Sequence, residues 1–170
     1  ANGAAGAGAG AATVAAPMAP MACALCGGTG NSDVCERLMF CEPGMWVHLN
    51  CAYWSAECYE TPEGAIVGVP KAVNRAKKVD CAHCGLPGAS LGCHIKSCRR
   101  SYHFACAAAD RASLLTDKRV YCEEHSSSKA AMKGAALWDA HAPINRALTV
   151  QPSKRWGVQA DFAMPPSHLV

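Results

Sequence analysis

Hydrophobic residues between positions 23 and 125 come in short runs, each closed by a turn-former or a cysteine. Leu38-Met39-Phe40 and Met45-Trp46-Val47 read as two short strands joined by a turn at Glu42-Pro43-Gly44. From Leu49 to Cys58 the apolar positions follow roughly helical spacing, which predicts a short helix. Thr61-Pro62-Glu63-Gly64 then reads as a turn and Ala65 to Val69 as a strand. Pro70 opens a helical turn through Lys71-Ala72-Val73-Asn74-Arg75. Farther on, Gly85-Leu86-Pro87-Gly88 is a turn, and Leu91-Gly92-Cys93 and Ser101 to Phe104 are predicted strands. A helix is expected from Phe104 to Arg111 and a final strand-like stretch at Val120-Tyr121-Cys122.

The ends have a different character. Residues 1–22 are almost entirely Ala, Gly and Pro, and such a segment cannot offset its ordering entropy by burial, so it reads as a flexible leader. Ser126-Ser127-Ser128 would cap a helix from Lys129 to about His141, with Met132, Ala136, Leu137 and His141 on one side. Beyond Pro143 the chain is polar and punctuated by proline. Trp138, Trp156 and Phe162 are too apolar for a plain linker and point to docking of this tail.

Alanine supplies much of the 51% hydrophobic content, and aromatics are only 6%. A core this thin needs staples, and 12 cysteines are at hand. Disulfides are one use for them. Histidines at ligand spacing favour metal instead, and residues 1–22 contain neither Lys nor Arg nor a Leu-rich stretch of the kind a secretory signal has. No run resembles a membrane span. The expectation is a reducing, intracellular compartment.

Charge is unevenly placed. Residues 23–70 carry one basic side chain, Arg37, against Asp33, Glu36, Glu42, Glu57, Glu60 and Glu63. Residues 71–100 carry Lys71, Arg75, Lys77, Lys78, Lys96, Arg99 and Arg100 against Asp80. An acidic stretch is followed by a basic one, and the basic set is the candidate surface for nucleic acid or a histone tail. A solvated linker is the plainer reading of the same cluster.

The strongest signal lies in residues 81–125. Cys81 and Cys84, Cys93 and Cys98, His103 and Cys106, and Cys122 and His125 are four closely spaced donor pairs. Zinc takes four Cys or His donors in a tetrahedron, so eight donors make two sites. Upstream, Cys23 with Cys26 and His48 with Cys51 supply a third set. Six half-sites combine in about 15 ways, and spacing alone selects none of them. Cys35, Cys41 and Cys58 stand outside the scheme and read as small buried residues, with Cys41 the one able to compete at the first site. His83, His94, His141 and His168 have no paired donor and read as ordinary polar residues. Trp46 and Trp54 are expected to pack beside the first metal.

The donor order C4HC2H, preceded by CxxC and HxxC, resembles the extended PHD finger, a C2HC zinc knuckle fused to an atypical PHD finger. The segments Trp46 to Glu57, Pro87 to Cys93 and Tyr102 to Cys106 are similar to the version in trithorax/MLL-type histone H3 lysine-4 methyltransferases. The resemblance covers roughly residues 23–126. It implies a small zinc-stabilised α+β fold, a knuckle packed on a cross-braced finger, with short strands and helices and disordered or loosely docked ends. The expected division is a leader at 1–22, the knuckle and basic linker at 23–78, the PHD-type finger at 79–126 and a tail with a short helix at 127–170. Three structural zinc ions are implied, held by Cys23, Cys26, His48 and Cys51; by Cys81, Cys84, His103 and Cys106; and by Cys93, Cys98, Cys122 and His125.

Four protein donors per ion leave no open position for water or substrate, which marks structural zinc and argues against an enzyme. The resemblance also implies a nuclear, chromatin-associated module, part of or companion to a methyltransferase, with histone, nucleosome or DNA as partner and neither membrane nor small-molecule substrate. Methyl transfer in that family resides in a SET domain, which no part of this chain resembles. Gly85 to Gly92 contains no aromatic residue, so an aromatic cage for trimethyl-lysine is not expected there. Two alternatives stand beside this reading: a protein-interaction scaffold in a chromatin complex, and a RING-like ubiquitin ligase.

Overall fold

The computed structural model describes residues 21–127, 136–137 and 149–150. Its strands are short and its four small sheets are open. β1 (Leu38–Glu42) and β2 (Met45–His48) form the predicted hairpin, antiparallel, with Leu38 opposite His48 and Phe40 opposite Trp46. Gly44 takes the left-handed conformation (φ 75°) that closes the turn. A register shift between Phe40 and Glu42 absorbs the extra residue.

Helix α1 (Leu49–Tyr53) is shorter than the predicted run to Cys58. Past Tyr53 the chain tightens into turns, Ser55 N–H donating to Ala52 O and Cys58 N–H to Ser55 O, while Ser55 Oγ turns back to Cys51 O. β3 (Tyr59–Glu60) and β4 (Ala65–Val67) make a second hairpin. The predicted strand from Ala65 stops at Val67 because Gly68 is left-handed, φ 92°, and α2 (Val69–Ala76) starts directly after it with Pro70 in its first turn. That helix buries Val69, Ala72, Val73 and Ala76 along one side.

In the second half, β5 (Leu91–Gly92) pairs with β6 (Ser101–Tyr102), and α3 (Phe104–Ala109) follows. The predicted helix to Arg111 ends early, and Arg111 itself is left-handed at φ 52°. β7 (Ser113–Leu114) pairs with β8 (Val120–Tyr121), and α4 (Glu123–Ser126) is one helical turn. β9 (Thr149–Val150) returns to lie parallel to β4. Ala136 and Leu137, assigned from sequence to a helix, are not helical: Leu137 bridges Leu115 and Ala136 O accepts from Thr116 N–H. The rest of that predicted helix, with Trp138, Trp156, Phe162 and residues 1–20, lies outside the described residues.

A single buried cluster runs through both halves. Leu25, Val47, Leu49, Ile66, Val69 and Val73 from the first half join Leu91, Phe104, Leu114 and Val120 from the second. Trp54, 3% exposed, stacks on Phe104 with ring centroids 6.2 Å apart. Polar ties reinforce the seam. The Arg75 guanidinium holds the Glu57 carboxylate and donates to Ser90 O at 2.7 Å. Lys118, on the turn between β7 and β8, donates to Cys58 O at 2.8 Å and lies 4.8 Å from the centre of the Tyr53 ring. At Gly88 the two halves approach so closely that a Cβ would lie 2.2 Å from Leu25 O.

Candidate metal centres

Each centre is assembled from a tight turn and a strand-to-helix junction. At the first, Cys23 and Cys26 occupy a turn in which Gly27 N–H donates to Cys23 O and Cys23 N–H to Gly28 O, both at 2.8 Å. Gly27 supplies the left-handed residue (φ 73°) that such a turn requires. His48 closes β2 and Cys51 lies one turn into α1, so the hairpin carries the second pair back to the first. The second and third centres repeat the device: His103 precedes α3 and Cys106 lies within it, while Cys122 precedes α4 and His125 lies within it.

The donor atoms of Cys23, Cys26, His48 and Cys51 lie within 4.8 Å of one another. So do those of Cys81, Cys84, His103 and Cys106, and those of Cys93, Cys98, Cys122 and His125. The last two sets interleave along the chain, first pair with third and second with fourth. Zinc bonds of about 2.0–2.3 Å place tetrahedral ligands roughly 3.5–3.8 Å apart. His48 Nδ1 is 3.3 Å from Cys26 Sγ, and His103 Nδ1 is 3.4 Å from Cys84 Sγ and 3.7 Å from Cys106 Sγ. His125 Nδ1 is 3.1 Å from Cys122 Sγ and 3.7 Å from Cys93 Sγ, and Cys98 Sγ is 3.9 Å from Cys122 Sγ. These are the edges of tetrahedra that zinc would fill.

The far ring nitrogens settle which end of each imidazole faces the sulfurs. His48 Nε2 is 2.8 Å from Gly30 O, and His103 Nε2 is 3.1 Å from Pro87 O. Protonated there, each ring donates to a backbone carbonyl and keeps Nδ1 free as a ligand atom. The His48 N–H also donates to Cys23 Sγ at 3.3 Å, stabilising a thiolate. Crowding drives the thiols apart: Cys26 is drawn down to about 5, chiefly through its hydrogen bond with Cys23, while Cys51 is pushed up by the same neighbours. Such a set collects negative charge that a divalent cation balances.

Cys35 is buried and stands outside the four-donor cluster, as read from the sequence, yet it, and not Cys41, is the spare thiol beside the first centre. Its buried thiol is pulled down to about 3, chiefly by the neighbouring Cys26 and then by Cys51. Cys41, the expected competitor, sits fully buried in β1, where desolvation pushes its thiol up to about 12. Cys35 lacks a paired donor, so only the folded loop from Ser32 to Glu36 reveals it; its N–H donates to Ser32 Oγ at 2.7 Å. Among the unpaired histidines, His83 faces Asp110 at 3.4 Å and His94 packs edge-on to Tyr121.

The basic candidates separate into two groups. Arg75 is committed to Glu57 and Ser90, and Arg100 to Glu124. Lys71, Lys77, Lys78, Lys96 and Arg99 are exposed. The first three belong to α2 and the turn after it, the last two to the loop between β5 and β6.

From His48 to His125 the centre residues run His, five Cys, His, two Cys, His. Residues 48–126 match the HC5HC2H PHD-like zinc-binding domain, whose label spells the same order. This segment is a PHD-like zinc-binding domain by that match. The match begins at His48, so the Cys23–Cys26 turn is an N-terminal addition to it. The chain is 35% identical over 137 residues to the histone-lysine N-methyltransferase trithorax of Drosophila virilis, covering 78% of this chain and 4% of that protein. It is 41% identical over 106 residues to human histone-lysine N-methyltransferase 2B, covering 61% of this chain and 4% of that protein. The chain thus spans a small fraction of these relatives. The zebrafish PHF14-PZP crystal structure aligns over 64% of each chain with a TM-score of 0.42 and 19% identity. The PHD-like segment and the three Cys/His clusters together make this a zinc protein with three structural sites.

Proposed function

We propose that this chain is a non-catalytic nuclear module that binds the nucleosome, through a histone tail, DNA, or both. The reading rests on one observation above all: three closed four-donor clusters, with exposed cations set around them. Cys23, Cys26, His48 and Cys51 would hold one zinc; Cys81, Cys84, His103 and Cys106 a second; Cys93, Cys98, Cys122 and His125 the third. Each ion would be saturated by protein, so its work is to fix the fold. The named relatives are methyltransferases, and we assign this chain to chromatin recognition alongside that chemistry, not to the transfer itself.

Lys71, Lys77, Lys78, Lys96 and Arg99 are the side chains assigned to phosphate. Contact with three to five phosphates gives a slope of roughly −3 to −4.5 in log K against log salt. β5 offers a place for an added strand, since no named strand among the described residues pairs with its other side. The test is binding of the full, zinc-loaded chain to nucleosomes, tailless nucleosomes and free DNA at two salt concentrations. Loss without tails assigns a histone reader; equal, salt-sensitive binding to all three assigns a DNA contact. Absence of binding to all three overturns the proposal and favours a protein scaffold, for which the exposed Phe40 and Tyr59 on the acidic half are the natural contacts.

A further inference from the structure

The edge of β4 is occupied by the chain itself, from a point more than eighty residues downstream. Thr149 lies opposite Ala65 and Val150 opposite Ile66, in parallel register. β9 also lies against β1, so the returning segment sits between the two hairpins of the first half. Val150 is half-buried and packs on the main core cluster.

β4 is held in place without this visitor. Gly64 (φ 79°) and Gly68 (φ 92°) bend the chain at its two ends, and β3 pairs along its other side. At Gly68 a Cβ would lie 2.2 Å from Glu57 O, so that end is pinned against the backbone before β3. Ile66 is fully buried and Ala65 nearly so. A strand bent at both ends, with one edge paired to β3 and the other to a two-residue strand from far downstream, is a ready acceptor for an extended peptide.

We infer that the β4 edge is a strand-addition slot for an extended peptide with β-branched apolar residues, and that Thr149–Val150 occupies it in cis as an exchangeable plug. The occupant has the right chemistry. Thr and Val favour extended backbone. The slot is built from β4 and β9 and uses no residue of β5, so the inference does not depend on the nucleosome reading.

Hydrogen exchange on the full zinc-loaded chain tests it. Val150→Asp should speed exchange at the amides of residues 65–67 roughly tenfold, the effect of losing a half-buried valine contact, with three zinc ions retained. Adding a synthetic peptide of residues 146–153 to this variant should restore protection, and the same peptide carrying the Val150→Asp change should not. Unchanged exchange in the variant overturns the seating of β9. Faster exchange that the peptide fails to reverse overturns the exchangeable slot and leaves β9 a fixed part of the fold. If Val150→Asp loses zinc, Val150→Ser carries the same comparison with a milder loss of apolar contact.

Discussion

Gly85 and Gly88 stand three residues apart at positive φ, 74° and 113°, but only Gly85 has open space where a side chain would go. A methyl group at Gly88 would meet Leu25 O at 2.2 Å and His103 Nε2 at 3.0 Å. Gly85→Ala should therefore carry only the backbone cost, about 1–2 kcal/mol. Gly88→Ala adds a backbone clash and should lose about 3 kcal/mol or more, roughly 10 °C in Tm. Equal melting temperatures for the two variants would remove the close approach from the account. Buried thiols supply a second test at this scale. Desolvation lifts Cys41 and Cys58 to about 12, above the ordinary thiol value. A raised acid keeps its proton in the fold after the unfolded chain has lost it, so stability falls as pH rises from about 8.5 toward 12. Replacing both with Ala should flatten the stability profile between pH 9 and 10.5. Neither native thiol should react with iodoacetamide at pH 8, because the thiolate is the nucleophile; rapid labelling of either in the zinc-loaded chain would contradict its burial.

Elements defined by local chemistry were legible, and those defined by distant partners were not. The β1–β2 hairpin could be read because Pro43-Gly44 punctuates two apolar runs, and the donor pairs because two-residue spacing is a local property. β9 could not: two residues carry no period, and their partner at β4 is far away in sequence. The nearness of Cys35 to the first centre is illegible for the same reason, and Arg75 falls among the anion-binding candidates because sequence does not show that Glu57 and Ser90 already claim it. The structure makes that last difference testable. Arg75 joins α2 to the segment before β3 and to the residue before β5, and a lysine there keeps the charge but loses the planar fork. Arg75→Lys should lower stability by about 1–3 kcal/mol, the scale of charged hydrogen bonds, and leave the salt dependence of nucleosome binding unchanged. Replacing Lys77 and Lys78 with Ala should do the reverse, reducing the slope by up to about 2 with little change in melting. A matching loss of slope in both variants would put Arg75 back on the binding surface.

At the scale of the whole molecule the two halves behave as one because one apolar cluster passes through both and three metal centres surround it. Structural zinc contributes about 10–16 kcal/mol per site in isolated finger peptides. A domain of this kind has a total stability of only about 5–15 kcal/mol, so losing even one ion should cost more than the fold can spare. Chelation is expected to release all three ions in a single transition that removes both the thermal melt and the far-UV signal; stepwise release with one half still folded would show that the shared core does not couple them. Charge gives a second measure of the same state. Nine thiolates bring nine negative charges and three zinc ions return six, which cancels the formal +3 of the polypeptide. The apo sequence has a pI near 8.3, so the native holo-protein should focus lower, near neutrality. Two zinc ions on eight donors, six of them thiolates, would leave a different balance and, by direct metal analysis, a stoichiometry that contradicts three closed sites. A near-neutral holo chain has no strong overall pull on DNA, so any electrostatic attraction must come from how charge is arranged. That arrangement sets Lys71, Lys77, Lys78, Lys96 and Arg99 apart from the acidic stretch between Asp33 and Glu63. Reversing Lys77 and Lys78 to Glu should then abolish salt-sensitive nucleosome binding although it changes the total by only four charges, and four alanines within residues 1–20 replaced by Glu, the same change in total charge, should not.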